Sequence, residues 1–170
     1  VQNQALIAEI LGENYKKRDV YIRAISTFKS DGNKNFNKPA FKRVYLEYQK
    51  YLKENNLLDY DDLLICAVKL LKENKNVLEY YQNISKYVLE DEAQDSTPIQ
   101  QELISLLSKK WGNVVRVGDV NQSIMTTFSN SDVKGFKKFV EENNSVKMDC
   151  SQRCSKEVYT LANSLIKFAK

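Results

Sequence analysis

The stretch that decides the fold is YVLEDEAQDS, residues 87–96. It opens with a β-rich run, Tyr87-Val88-Leu89, and then turns polar at two adjacent carboxylates, Asp91 and Glu92. Carboxylates at a strand end can divide the work of nucleotide hydrolysis, one holding the water shell of Mg²⁺ and the other polarising an attacking water. The acid pair alone favours a plainer interpretation, an acidic helix start with solvated charges. The choice depends on the rest of the chain.

The same pattern, a β-rich run followed by a polar turn, recurs twice downstream. Residues 114–117 (VVRV) lead into GDVNQ at 118–122, and residues 146–148 (VKM) lead into CSQR at 150–153. A helical stripe lies between the first two runs, at residues 99–108. It is preceded by Thr97, Pro98 and Gln100, which predict a capping box with proline at the first helical position.

Alternation of strands and helices predicts parallel pairing through right-handed crossovers. Ligands of such sheets bind at the carboxyl ends of the strands. Gln122 offers a donor and an acceptor to a phosphate or a water, and Arg153 offers a rigid fork. Taken singly, these two sites are more typical of a common turn and a surface ion pair. We expect Gln122 and Arg153 to meet the acid pair at one edge of the sheet.

Residues 1–84 follow a helical pattern instead. Apolar residues recur at helical spacing at Phe41, Val44, Tyr45, Tyr48 and Leu52, and again after an acidic start at Asp59, Asp61 and Asp62. An all-α first part, residues 1–84, is therefore expected to precede an α/β second part, residues 85–170.

Composition excludes several classes of protein. The chain has 170 residues, 42% of them hydrophobic, and no apolar run approaches the roughly 20 residues that span a bilayer. Nothing near the first residue resembles a signal peptide, so we expect a cytoplasmic protein without membrane contact. Three cysteines and no histidine disfavour zinc and exclude histidine bases.

In this order and spacing, the three polar stretches resemble motifs II, III and IV of superfamily 1 DNA helicases of the UvrD/Rep/PcrA type. Residues 91–96 (DEAQDS) match the family pattern D-E-x-Q-D-[ST], and residues 117–124 (VGDVNQSI) match V-G-D-x-x-Q-S-I. Upstream, residues 58–64 (LDYDDLL) resemble the D-[FY]-x-[DE]-L-L element of the same family. The resemblance covers about residues 20–170.

The resemblance implies a partial RecA-like P-loop NTPase core at 85–170, carrying motifs II, III and IV, preceded by a helical insertion subdomain at 1–84. It also implies a fragment of an ATP-dependent helicase that couples MgATP hydrolysis to movement on single-stranded DNA next to duplex DNA. Its cofactors would be ATP and Mg²⁺.

The resemblance assigns a role to each site residue. Asp91 would hold Mg²⁺ and Glu92, beside the same ion, would be the catalytic base. Gln122 and Arg153 would contact the γ-phosphate. Two further residues, Gln94 and Asp95, would join these groups in one nucleotide-binding network. Two residues would contact bases of the single strand: Met125, where relatives usually have tyrosine, and Phe128.

No G-x-x-x-x-G-K-[ST] loop occurs in the 170 residues, and the motifs of a second motor domain are missing as well. Both would belong to a missing remainder of the polypeptide. Because phosphoryl transfer depends on positioning and charge stabilisation, the fragment alone is expected to be catalytically inactive.

A basic stretch at residues 16–43 holds nine Lys or Arg residues against two Asp. Such a stretch, interleaved with aromatic residues, fits a surface that follows a phosphate backbone. A solvated helix face with aromatic residues packed behind it fits equally well. The candidate DNA contacts are Lys16, Lys17, Arg18, Arg23, Lys42 and Arg43. An alternative function follows from them, a non-enzymatic DNA-binding module. A weaker alternative is a metal-dependent nuclease built on Asp91, Glu92 and Asp95.

Overall fold

The computed structural model describes residues 2–30, 39–123 and 131–168. Within these ranges the chain forms eight α-helices, two short β-strands and three 3₁₀ turns. The α-helices are α1 (Gln2–Leu11), α2 (Arg18–Ser30), α3 (Pro39–Glu54), α4 (Tyr60–Glu73), α5 (Lys75–Ile84), α6 (Pro98–Ser108), α7 (Val133–Glu142) and α8 (Lys156–Phe168). The strands are β1 (Val88–Glu90) and β2 (Val114–Arg116), and the 3₁₀ turns are Gly12–Lys17, Ala93–Asp95 and Val120–Gln122.

Helices α1, α2 and α3 share a hydrophobic core. Its buried residues are Ile7, Leu11, Ile25, Val44, Tyr48 and Leu52. The last three are members of the apolar stripe predicted from spacing, so that prediction is confirmed for α3. All regular structure described before β1 is helical. A separate all-α subdomain with its boundary at residue 84 stays a prediction.

The start of α4 is fixed by the acidic residues that marked it in the sequence. Asp59 is the N-cap, with its Oδ1 accepting a hydrogen bond from Asp62 N–H at 2.8 Å. The Asp62 side chain accepts from Asp59 N–H in return, which completes a capping box. These carboxylates satisfy N–H groups that have no partner within the helix.

A buried lysine joins α2 to this capping box. The side chain of Lys29 is fully buried, with Nζ 2.6 Å from Asp59 Oδ2 and 2.8 Å from Asp62 Oδ1. Tyr48 of α3 donates to the same Asp59 oxygen at 2.9 Å. Lys29 belongs to the basic stretch, residues 16–43, which fitted either a DNA-binding surface or a solvated helix face, and its burial excludes this one cation from both. An ammonium without water needs paired carboxylates, and Asp59 and Asp62 supply them.

The pKa of Asp59 reflects two opposed effects. Burial by itself raises it, because a charged carboxylate loses its hydration. Hydrogen bonds from Lys29, from Asp62 N–H and from Tyr48, with the attraction of the Lys29 charge, outweigh burial and lower the pKa of Asp59 below its ordinary value. The cluster therefore favours an ionised carboxylate.

The two strands form a parallel sheet in which Val88 pairs with Val114 and Glu90 with Arg116. Parallel pairing was predicted, and α6 connects the strands. At the start of α6, Gln100 Oε1 accepts from Thr97 N–H at 2.8 Å, with Pro98 first in the helix. The capping box predicted there is confirmed. The sheet faces α6 on one side, while Tyr87, Leu89, Val115 and Val117 are exposed.

The third predicted strand, residues 146–148, is not formed. These residues have no regular secondary structure, and Val146 and Met148 are 93% and 86% exposed. Two apolar side chains around one lysine are too few to specify a strand when neither becomes buried. The fold is therefore mostly helical, with a two-stranded parallel sheet of α/β type.

The chain divides into two compact units, Val1–Lys138 and Phe139–Lys170. The first unit holds α1 to α6, both strands and the start of α7, and the second holds the end of α7 and α8. Among the described residues, none of the helices combines the length and the apolar character that crossing a bilayer requires.

Replacing Lys29 by methionine tests the buried cluster. Lys29→Met leaves two buried carboxylates without a counter-charge, so the free energy of unfolding should fall by about 3–5 kcal/mol in denaturant titrations. Lys53→Met, at an exposed position of α3, is the control and should stay within about 0.5 kcal/mol of wild type.

The loss should also depend on pH. Because the pKa of Asp59 is lower in the folded state, its contribution is present above the ordinary value of 3.8 and disappears as pH falls through the folded value. The difference in free energy of unfolding between wild type and Lys29→Met should therefore become smaller as pH falls below 3.8. A difference that is the same at pH 3 and pH 7 would contradict the ion-pair interpretation.

Candidate nucleotide-hydrolysis site

The turn after β1 is hydrogen-bonded to the residue that follows β2. Val117 N–H donates to Glu90 O at 2.8 Å, and Ala93 N–H donates to Val117 O at 2.9 Å. Between them, Glu92 takes a left-handed backbone conformation with φ 52° and ψ 41°, which few residues other than glycine adopt. Asp91 Oδ1 accepts from Glu92 N–H at 2.9 Å. The acid pair is thus held at the carboxyl edge of the sheet, where it was predicted.

Gln94 connects this turn to the one after β2. Its side chain is 1% exposed, with Nε2 donating to Glu92 Oε2 at 2.7 Å and Oε1 accepting from Asp119 N–H at 3.0 Å. A backbone N–H can meet only the oxygen of an amide, and a carboxylate can meet only its nitrogen. The two partners therefore determine which atom of the Gln94 amide is nitrogen and which is oxygen, and they fix its orientation.

The chain of hydrogen bonds continues to Gln122. Asp119 accepts from Asn121 N–H at its Oδ1 and from Gln122 Nε2 at its Oδ2, both at 2.9 Å. Glu92, Gln94, Asp119 and Gln122 thus form one continuous series at the same edge of the sheet. Gln122 is exposed, so its amide can exchange Asp119 for another acceptor.

Gly118 has to be glycine for steric reasons. A Cβ there would lie 2.5 Å from Gln94 Oε1 and 3.0 Å from Phe136 Cζ. The amide of Gln94 occupies the space that any side chain would need.

Beneath the site, a buried ion pair joins the strands. Glu90 of β1 pairs with Arg116 of β2, and both side chains are buried. Ser96 Oγ also donates to Glu90, and the Arg116 guanidinium lies 5.5 Å from the ring centre of Phe136. Sequence reasoning missed this pair, although an acid and a base occupy matching positions of two predicted parallel strands. The pair explains why β1 ends in a glutamate.

Asp95 completes the acidic group after β1. It is partly buried, its N–H donates to Glu92 O at 2.9 Å, and its Oδ1 is buried without a hydrogen-bond partner. A buried carboxylate oxygen that nothing satisfies is costly unless a ligand or a water meets it. The predicted place of Asp95 beside Asp91 and Glu92 is consistent with this geometry.

The remaining predicted site residues belong to other parts of the chain. Arg153 is exposed and belongs to the second unit, with its N–H 3.4 Å from Ser151 Oγ; its convergence with the acid pair stays a prediction. Met125 and Phe128 fall outside the described residues. Of the basic candidates, Lys16, Lys17, Arg23, Lys42 and Arg43 are exposed, and Arg18 is half-buried, 3.7 Å from Asp19.

Aromatic rings pack within the same region. Tyr21 and Phe41 have ring centres 4.5 Å apart, and Phe28 contacts Tyr45 edge to face at 5.0 Å. Packed aromatic rings together with exposed cations are compatible with both interpretations of the basic stretch. The structure leaves the DNA-binding surface a prediction.

An acid pair and an amide at the carboxyl edge of parallel strands define a candidate nucleotide-hydrolysis site of the α/β class. The model of one protein family, described as the UvrD/REP helicase N-terminal domain, matches residues 3–144. The chain belongs to this family, as its motifs indicated.

Its curated relatives are much longer than the chain. The chain is 37% identical to the ATP-dependent DNA helicase PcrA of Staphylococcus aureus over 127 residues, which are 73% of the chain and 17% of that protein. It is 33% identical to the PcrA of Staphylococcus epidermidis over 160 residues, 87% of the chain and 22% of that protein. The chain therefore spans about a fifth of the length of these relatives.

The donor set at the edge fits Mg²⁺ and a phosphate. Asp91 and Glu92 are exposed, and their carboxylate oxygens are the hard ligands that Mg²⁺ takes, one or two from protein and the rest from water and phosphates. Among the described residues no three metal-binding side chains converge. An ion held here would share its coordination with the nucleotide.

The contact between Gly118 and Gln94 can be measured by mutation. Gly118→Ala should destabilise the fold by about 1–3 kcal/mol, because the new methyl group overlaps the Gln94 amide. The penalty should shrink when Gln94→Ala is already present, since the amide oxygen is then gone. Equal penalties in both backgrounds, in a double-mutant cycle by chemical denaturation, would show that the contact is unimportant.

Proposed function

We propose that the chain is the ATP-coupling part of the first motor domain of a DNA helicase, which uses MgATP hydrolysis to move along single-stranded DNA. The observation that carries this proposal is the hydrogen-bonded series from Glu92 through Gln94 and Asp119 to Gln122. It connects a carboxylate able to act on water with an amide able to contact phosphate. The relatives named ATP-dependent DNA helicase support the same function.

The roles follow from position and chemistry. Glu92 is the general base that polarises the attacking water, and Gln94 holds its carboxylate by one oxygen, leaving the other available. Asp91 would hold Mg²⁺, which would supply charge neutralisation when MgATP is bound. Gln122 contacts the γ-phosphate, and so does Arg153, whose guanidinium suits a phosphate. Asp95, with its unsatisfied oxygen, holds a water of the same shell.

Coupling to movement follows from the turn after β2. Gln122 lies two residues before the segment 124–130, which holds the proposed base contacts Met125 and Phe128. A change of partner at Gln122, from Asp119 to a phosphate, would alter the turn that immediately precedes this segment. Binding or hydrolysis of the nucleotide would in this way change the contacts with the DNA strand through only a few residues.

The proposed activity needs a phosphate-binding loop, and a reconstitution tests it. The 170-residue chain alone should show no magnesium-dependent ATP hydrolysis. Joined to an upstream segment with G-x-x-x-x-G-K-[ST] and to a second motor domain, it should become a DNA-stimulated ATPase. In that protein Glu92→Gln should lower kcat by roughly 10²–10⁴-fold, with little change in KM, as expected for loss of a general base.

Glu54→Gln, an exposed carboxylate on α3, is the matched control and should leave kcat unchanged. Hydrolysis by the 170 residues alone would contradict the need for the missing loop. A Glu92→Gln enzyme within a few-fold of wild-type kcat would remove Glu92 from the role of base.

The exposed cations of the first helices are proposed to follow the DNA backbone. Lys16, Lys17, Arg23, Lys42 and Arg43 are exposed, and aromatic rings pack in the same region. Each contacted phosphate releases condensed counterions, so binding should weaken as salt rises. Single-stranded and duplex DNA are both expected to bind.

Salt titrations of DNA affinity test this surface. Lys42→Ser with Arg43→Ser should reduce the slope of log affinity against log salt by roughly 0.7 for each cation removed, for a single strand. Lys53→Ser with Lys69→Ser removes the same charge from exposed positions of α3 and α4 and should leave the slope unchanged. Affinity that does not weaken with salt would exclude the surface.

A further inference from the structure

An aromatic and basic cluster lies at the amino-terminal edge of the sheet, opposite the edge that carries Asp91 and Glu92. Lys86 and Tyr87 immediately precede β1, and Lys109, Lys110 and Trp111 precede β2. We call these five residues the Trp111 cluster. None of them belongs to a motif that the proposed function uses.

Tryptophan is the centre of the cluster and is held in place. Trp111 Nε1–H donates to Gln82 O at 2.7 Å, while Lys86 and Lys110 have their ammonium groups 5.7 Å and 5.5 Å from the ring centre. These are cation–π distances. Lys110 also donates to Asn83, and Asn113 Nδ2 donates to Lys86 O at 3.0 Å. The ring and both cations are therefore ordered before any ligand arrives.

The rings remain available to a ligand. Trp111 is 44% exposed and Tyr87 is 74% exposed. Tyr80 and Tyr81, near the end of α5, are exposed as well, and stack edge to face with ring centres 5.3 Å apart. An exposed aromatic ring can stack on a ligand, and burial of such a ring is worth more than burial of most other side chains.

The cluster has no acidic residue of its own. Neither of the two segments that form it, residues 80–89 and 103–117, contains an Asp or a Glu. Helices α5 and α6 both end here, and each helix end contributes about half a negative charge. The three exposed lysines carry more positive charge than the two helix ends carry negative charge. The surface is therefore positive, and interaction with the helix ends does not neutralise all of the lysines.

We propose that the Trp111 cluster is a second binding site for single-stranded nucleic acid, at the edge of the sheet opposite the nucleotide. Bases would stack on Trp111 and Tyr87, and phosphates would meet Lys86, Lys109 and Lys110. A nucleotide has a base with a π face next to a charged phosphate. The base can stack on an aromatic ring while the phosphate contacts the neighbouring cations. An acidic peptide has charge but no π faces, so it would leave the exposed rings unused. This site stands independently of the ATP-coupling role.

The chain supplies its own reporter for the test, because Trp111 is its single tryptophan. Titrating the 170-residue chain with a short oligothymidylate should quench its tryptophan fluorescence, since stacking of a base on the ring changes its emission. DNA bound at the basic helices alone would raise the anisotropy of a labelled oligonucleotide without quenching Trp111. That result would overturn this inference and leave the proposed function intact.

Charge reversal provides the second readout. Lys86→Glu with Lys110→Glu should abolish the quenching and weaken oligothymidylate affinity at least tenfold at low salt. Lys86→Arg with Lys110→Arg should retain both. The control, Lys53→Glu with Lys69→Glu, has the same net charge and should quench as wild type does. Quenching that survives the reversal at Lys86 and Lys110 would overturn the site.

A substitution at the ring separates stacking from charge. Trp111→Leu keeps the lysines, and by anisotropy it should bind oligothymidylate roughly tenfold more weakly, the loss expected for one stacked base. Thermal unfolding is the check that Trp111→Leu is folded. If that variant is not folded, Tyr87→Ala, which removes the other ring, replaces it in the experiment. Poly-glutamate that competes with oligothymidylate at equal charge concentration would instead assign the cluster to an acidic protein partner.

Discussion

The buried ion pair between Glu90 and Arg116 sets the register on which the site depends. Two short parallel strands have little to hold them in one alignment, and a slip by one residue would turn every side chain to the opposite face. Such a slip would also leave two charges buried without partners, at a cost of several kcal/mol. With the register fixed, the backbone of Val117 forms hydrogen bonds with both Glu90 and Ala93. These bonds bring the polar turn after β1 next to the polar turn after β2.

A second buried charge has a comparable role among the helices. Lys29 ties α2 to the first turn of α4, where Asp59 and Asp62 also cap the helix. In both places an ion pair specifies which elements meet, while apolar packing around it provides most of the stabilisation. The molecule thus uses fixed charges for alignment at two points far apart in sequence.

Sequence reasoning predicted local features well and tertiary partners poorly. The capping box at Thr97, the acidic helix start at Asp59 and the runs that became β1 and β2 could be predicted, because each depends on residues within a few positions of one another. The burial of Lys29 was not predicted, because its whole stretch was interpreted as a charged surface and charge alone cannot show burial. The run at residues 146–148 looked like a strand because alternation in three residues carries little information.

The residues of the candidate site were proposed from composition and order, and their roles stay predictions, while the hydrogen bonds that connect them were not predicted. Asp91, Glu92 and Gln122 lie at the expected edge, but the path between them passes through an amide whose two ends face different turns. Glutamate at position 94 could not donate to Glu92, and asparagine is one methylene shorter. Glutamine combines that reach with an acceptor and a donor on one planar group, so neither its acid nor its shorter amide could keep both hydrogen bonds.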